Sequence, residues 1–268
     1  MHKTTDSLFS ALWNDYVSIT PSAQRIHKLL TGEENSPQIV NDHVAFRTFA
    51  LDKTQLSHLA EHFIALGYEA KGDYDFKSKK VTAKHFEHPD TTVPKVFISE
   101  LRVAEFSAET QRIIQGLVEQ MPASVVNAEN FLYSGRHWQL STQEYQSLIS
   151  ESEYAGWLAA WGFRANHFTV SVNHLNNIAN LADVNTLLKE AGFVLNTSGG
   201  EIKGGESVYL AQSSTMADEY TLSFSDGSLT IPSCFYEFAQ RYPLPDGKLY
   251  QGFVEASADK IFESTNSR

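Results

Sequence analysis

The chain changes its hydrophobic period in a fixed order, and it does so twice. Residues 42–49, DHVAFRTF, read as a strand rich in β-formers. Side chains alternate along a strand, so His43, Ala45, Arg47 and Phe49 share one face. From Lys53 to Leu66 the apolar positions are Leu56, Leu59, Ala60, Phe63 and Ile64, recurring at about 100° per residue. That period predicts an amphipathic helix with His58, Glu61 and His62 largely on its solvated face. Gly67 closes it and Tyr68 follows, ordinary chemistry for a helix end. Two β-like segments come next, KKVTAKHFEH and PKVFISELR.

The succession then begins again. NHFTVSVN, residues 166–173, repeats a short polar residue, a histidine and a β-rich run, placing His167 124 positions after His43. The following helix, in NIANLADVNTLLKEAGFVLNTSGG, closes on Gly192 and Phe193. The histidine-to-glycine offsets are 24 and 25, and this agreement in order and spacing makes chance a poor explanation. ESVYLAQSS, EYTLSFSDG and PSCFYEFAQR supply further strands. The pattern is therefore β-α-β-β-β written twice, read as one architecture rather than two independent folds. The first unit covers about residues 39–102 and the second about 163–255. Between them, residues 103–162 predict a helical insertion, with serine or threonine starts and glycine stops. The amino-terminal TTDSLFSALWNDYVSITPSAQRIHKLL also predicts helix. With no low-complexity linker between the halves, residues 1–268 read as a single α+β domain.

Composition narrows the partners. Lys plus Arg number 21 and Asp plus Glu 32, a net charge of −11, which argues against nucleic acid or an anionic membrane as partner. A small anionic substrate stays compatible, because a pocket needs only one or two local cations. The single cysteine, Cys234, excludes an internal disulfide and any CxxC zinc pattern. No segment reads as a signal peptide or a membrane span, so the expectation is a cytoplasmic protein.

The mixture of His43 and Arg47 on one apolar strand face has two readings. One is a hydrogen-bonded core histidine beside a snorkelling arginine. The other is a site. Three motifs bear on the choice: NDHVAFRTF at 41–49, NHFTV in the second unit, and FYEFAQR at 235–241. Together with the tandem βαβββ layout, they resemble the vicinal oxygen chelate superfamily. More narrowly they resemble the DUF1338 family of iron-dependent 2-oxoadipate dioxygenase/decarboxylases. The resemblance spans about residues 7 to 255 and implies a cupped barrel-like sheet around a divalent metal. It implies Fe(II) held by His43, His167 and Glu237, with a small 2-oxo diacid and O2 as partners. It also implies oxidative decarboxylation of 2-oxoadipate to 2-hydroxyglutarate. The residue types agree independently, since two imidazoles and a carboxylate form the facial triad of non-haem iron oxygenases. Glu237 lies in the apolar run CFYEFA, where an unpaired carboxylate would be costly to bury. Arg47, on the face of His43, could grip the far carboxylate bidentately, the role the resemblance also implies.

Rival readings are specific. HLAEH at 58–62 matches the inverzincin signature, but its polar residues fall opposite the apolar stripe. Glu100 is read as the first-unit counterpart of Glu237; as a fourth ligand it would make a glyoxalase-like lyase site independent of O2. A non-catalytic small-molecule binder of the same fold is the third reading. His85 is placed beside the cavity at most, and GRHW at 135–138 and Lys203 read equally as rim contacts or as ordinary loop residues.

Overall fold

The computed structural model describes residues 1–32 and 39–266. Two helices lead, α1 (Thr5–Ile19) and α2 (Pro21–Thr31). The first unit follows: β1 (Asn41–Phe49), α3 (Leu56–Ile64), β2 (Glu69–Phe76), β3 (Val81–Glu87) and β4 (Lys95–Leu101). The insertion comprises α4 (Ala108–Glu119), α5 (Thr142–Glu151) and α6 (Glu153–Trp161). The remainder is β5 (Ala165–Ser171), α7 (Leu181–Glu190), β6 (Lys203–Gly205), β7 (Leu210–Ser214), β8 (Glu219–Phe224), β9 (Gly227–Pro232), β10 (Phe235–Arg241) and α8 (Glu255–Ile261).

Eight strands form one curled half-barrel sheet in the order β2-β3-β4-β1-β5-β10-β7-β6. Its halves mirror each other. β1 pairs parallel with β4, β5 parallel with β10, and the antiparallel β1–β5 pair joins the units. Both outer hairpins turn through a short 3-10 segment that ends on a left-handed residue, Lys80 in one and Tyr209 in the other. Gly67 and Gly192 take φ of +98° and +85°, the left-handed conformation expected at the two helix ends. The α+β class and tandem modules are thus as the sequence predicts, although β2 (Glu69–Phe76), largely exposed, lies outside the two strand segments read in the first unit.

One strand belongs elsewhere. EYTLSF is extended, but as β8 it pairs only with β9, in a separate two-stranded hairpin. The third module strand is instead the three-residue β6. β8 alternates apolar and hydroxyl side chains yet stays largely exposed, so its pattern marked a strand without marking its partner. The helix face of α3 also differs from expectation. His62 is buried, its Nε2 at 2.8 Å from the Val126 carbonyl, while Ile64 is exposed.

The central strands β1, β5 and β10 are buried on both faces, whereas the outer strand β2 is largely exposed. On the outer face α1 presses Trp13 edge-on against Phe168 at 5.1 Å, and the Tyr16 hydroxyl donates to the Phe235 carbonyl at 2.5 Å. On α3, Phe63 meets Phe46 at 5.4 Å. α6 is buried along almost its whole length. Its Trp157 and Trp161 indoles donate to the Ser233 and Pro232 carbonyls, fastening the helix where β9 runs into β10. Gly162 ends α6 at φ +67°, where a Cβ would lie 2.2 Å from the Gly135 carbonyl oxygen. Among the described residues no helix is long and apolar enough to cross a membrane.

Candidate metal centre

Three adjacent central strands each contribute one ligand-type side chain. His43 comes from β1, His167 from β5 and Glu237 from β10, and their candidate ligand atoms lie within 4.8 Å of one another. All three are buried, Glu237 completely. Glu237 Oε2 sits 2.9 Å from His167 Nε2 and 3.6 Å from His43 Nε2. It nevertheless has no hydrogen-bond partner of good geometry among the described residues. A fully buried carboxylate oxygen left in that state is costly unless a cation takes it. Two imidazole nitrogens converging on the same point complete a donor set suited to a divalent transition metal.

The other side of each candidate ligand is held. His43 Nδ1 lies 2.8 Å from Asp42 Oδ1, and His167 Nδ1 lies 3.0 Å from Asn166 Oδ1. An oxygen acceptor at Nδ1 places the proton there and leaves the Nε2 lone pair facing the cluster. Glu237 Oε1 accepts from Gln212 Nε2 on β7 at 2.6 Å, and Thr169 Oγ1 lies 3.1 Å from His43 Nε2. Behind Asp42 stands Arg241, whose Nε and Nη2 donate to the two carboxylate oxygens at 2.6 and 2.8 Å. Its Nη1 donates to the Tyr250 and Gly252 carbonyls.

The electrostatics follow from this crowding. Burial alone would raise the Glu237 carboxyl, but His43 and His167 hold it well below the usual carboxylate range. Burial pushes His167 below the ordinary imidazole value, against the pull of Glu237. The same desolvation acts on His43, yet Glu237 and Asp42 leave it raised. The carboxylate is ionised and His167 favours its neutral form, the states in which they could bind a metal, while the two carboxylates beside His43 bias it towards its protonated form.

Arg47 points to the same side of β1 and is 2% exposed. Its Nη1 donates to Glu153 Oε1 at 2.8 Å and its Nη2 to Thr265 Oγ1 at 3.0 Å. The rings of Tyr154, Trp157 and Phe262 surround the guanidinium at 4.8, 5.1 and 5.4 Å. Phe253 stands edge-on to His43 at 4.8 Å and also packs on Phe97.

The other sequence candidates lie apart from the ligands. Glu100 accepts from the Leu56 backbone N–H at 2.8 Å, tying down the first turn of α3. Nor is it the counterpart of Glu237. Lys95 pairs with His43 as Phe235 pairs with His167, so two residues further on the equivalent of Glu237 is Phe97. An apolar ring stands where a four-ligand, glyoxalase-like site needs a second carboxylate. His85 bonds to Tyr74 and Glu87 and packs against Phe253. Trp138 donates to the Ala159 carbonyl, and Arg136 to that of Ser223. Lys203 is buried rather than at a rim; its Nζ donates to the Asn196 carbonyl at 2.5 Å, and burial lowers it to about 8. His58 contacts the Asp52 carbonyl, and no ligand-type cluster forms around HLAEH among the described residues.

A family model described as 2-oxoadipate dioxygenase/decarboxylase matches residues 11–128 and 124–248. The chain belongs to this family. The 2-oxoadipate dioxygenase/decarboxylase of Oryza sativa, named as chloroplastic or amyloplastic, is 34% identical over 294 aligned positions, covering 99% of this chain and 80% of its own. The Oryza sativa hydroxyglutarate synthase, solved in complex with 2-oxoadipate, is 34% identical with a TM-score of 0.91, over 99% of this chain and 94% of that one. A Shewanella frigidimarina protein, provisionally named a hydrolase, is 57% identical with a TM-score of 0.92, over 96% of this chain and all of that one. Like its family, the chain is an enzyme.

Within this family frame, several contributors went unread in the sequence. Asp42 and Asn166 carried a signal, the short polar residue repeated before each histidine. Arg241 stands four residues after Glu237, as Arg47 stands four after His43. Gln212 and Glu153 carried none, since each arrives from a distant element.

Proposed function

We propose that this chain converts 2-oxoadipate and O2 into 2-hydroxyglutarate and CO2, with Fe(II) held by His43, His167 and Glu237. The observation that carries the reading is the unpartnered Glu237 oxygen between two Nε2 atoms, on the same sheet face as a buried arginine. Ferrous iron supplies the redox chemistry by which O2 drives decarboxylation of a chelating 2-oxo acid and hydroxylation of the remainder. The chain's own residues do the rest. Asp42 and Asn166 keep the two imidazoles in the ligating tautomer. Gln212 orients the carboxylate. Phe235, stacked on His167 at 4.5 Å, and Phe253, against His43, exclude bulk water.

Arg47 holds the distal carboxylate of the diacid, so that the shortened chain stays in place between decarboxylation and hydroxylation. The ring of Phe97 leaves a three-residue ligand set, which favours a reaction using O2 over a lyase. The reaction is assigned to the cytoplasm, in contrast to the plastid location in the rice relative's name.

The test is anaerobic loading with Fe(II), followed by 2-oxoadipate and 18O2. The expected result is one CO2 per O2 consumed and 2-hydroxyglutarate carrying both labelled oxygens. Turnover of the same acid without O2, or unlabelled product, defeats the proposal.

A further inference from the structure

Arg47 and Arg241 are both buried, but they are used differently. Arg241 directs all three of its nitrogens to acceptors of the chain. Arg47 does not. A guanidinium offers two forks to a carboxylate, the Nη1/Nη2 end and the Nε/Nη2 side. The end of Arg47 is closed by Glu153 Oε1 and Thr265 Oγ1, and the Thr265 hydroxyl donates to that same Glu153 oxygen. The side is left unused at Nε, which is buried without a hydrogen-bond partner among the described residues.

The closure of the end fork is built rather than incidental. The Ser152 side chain accepts from the Ala155 N–H and caps α6, which fixes Glu153 as the first residue of the helix. The same helix supplies Tyr154 and Trp157 as walls on the guanidinium, with Phe262 from the carboxy-terminal segment as a third. The planar group therefore has little freedom to rotate.

We propose that Glu153, with Thr265, is a positioning residue that holds the end fork of Arg47 and leaves the Nε/Nη2 side as the receptor for the far carboxylate of a diacid of fixed length. This rests on the reading of Arg47 as the carboxylate clamp. A clamp fixed at one edge admits one distance between its carboxylate and the metal ligands, so chain length is read by geometry. The Glu153 charge also offsets that of Arg47, so a small anion gains little there, and only a carboxylate that fits the unused side bidentately binds well.

The experiment uses the full chain loaded with Zn(II), which is redox-inert, titrated calorimetrically with 2-oxoadipate, its shorter and longer homologues 2-oxoglutarate and 2-oxopimelate, and the monocarboxylate 2-oxobutyrate. Glu153→Ala should weaken 2-oxoadipate by about tenfold, a contact's worth. The preference over both homologues should narrow, with 2-oxobutyrate unchanged. Glu153→Gln, which keeps the acceptor oxygen, should retain the length preference while binding carboxylates as tightly or more so. With Fe(II) and O2, the Glu153→Ala loss should appear in KM rather than kcat. Equal weakening of mono- and dicarboxylates, or an unchanged length preference in Glu153→Ala, overturns the role of Glu153. Arg47→Ala separates the two ideas. If it abolishes the diacid preference while Glu153→Ala does not, the clamp stands and the positioning role falls. If it leaves the preference intact, the clamp itself was misassigned and both fall.

Discussion

Replacing Asp42 with asparagine tests whether the carboxylate behind His43 serves the metal or only the fold. Asp42 receives two bonds from a nearly buried Arg241 and faces His43 Nδ1. Burial would raise its pKa, but Arg241 and His43 hold it well below the carboxylate range, so it is charged. The amide keeps one acceptor oxygen and presents an NH2 group where Arg241 expects a second. Breaking one side of a buried pair costs about 3 to 5 kcal/mol, and the retained oxygen argues for about 3. For a chain of this size each kcal/mol lowers Tm by about 2 to 4 °C, giving a drop of about 6 to 12 °C in metal-free protein. A second loss is separate. A carboxylate partner raises the ligating power of an imidazole, and removing it should weaken metal affinity by about 10- to 100-fold. Chelator-competition titrations with Zn(II) or anaerobic Fe(II) measure that term. Combining Asp42→Asn with Arg241→Met removes the stranded cation, so part of the Tm should return while metal affinity stays low. Wild-type metal affinity in Asp42→Asn, or affinity recovering with Tm in the double variant, refutes the reasoning.

Other perturbations address single features. Phe97→Glu restores the carboxylate missing from the pseudo-symmetric position; metal should be retained, and O2 uptake with 2-oxoadipate should fall by about 100-fold or more as an open coordination position is lost, checked with an oxygen electrode. Arg47→Ala should keep metal but weaken the diacid by roughly 30- to 4000-fold, with Arg47→Lys restoring only part, read by calorimetry. Gly162→Ala forces a Cβ against the Gly135 carbonyl at a left-handed φ and should destabilise by about 2 to 4 kcal/mol in denaturant melts. Lys203 sits at about 8 when folded against an ordinary 10.5, so between those pH values the unfolded chain binds the proton and the folded chain does not. Stability should rise with pH across that window, by at most about 1.4 kcal/mol per unit, and Lys203→Met should flatten the rise.

What the sequence could reveal was local and periodic. The doubled strand, the helix between Lys53 and Leu66 and the glycine stops all follow from patterns within about 25 residues, and they placed both histidines on the face where they occur. Register was beyond reach. Counting along the chain put Glu100 opposite Glu237, whereas the parallel pairings put Phe97 there, and only hydrogen-bonded neighbours fix that offset. Likewise EYTLSF had the composition of a strand but nothing to say that β9, rather than the large sheet, would pair with it. On α3 the apolar stripe was right for Phe63, yet tertiary packing buried His62 under the Val126 carbonyl and left Ile64 outside. Glu153 closes on Arg47 across 106 positions, a distance at which no local pattern speaks.

The order in which the three proposed ligands leave the ribosome has its own consequence. The two imidazoles are made at positions 43 and 167, and the carboxylate only at 237, on the last strand of the large sheet to be synthesised. Because β10 inserts between β5 and β7, the carboxylate reaches the imidazoles only by completing the sheet. A growing chain thus carries one of these histidines from position 43 and both only between positions 167 and 237, a weak and unselective grip, and acquires the third donor in the same step that closes the fold. If the proposed site holds, metal capture is tied to the end of folding, and the complete donor set does not assemble on a half-made polypeptide.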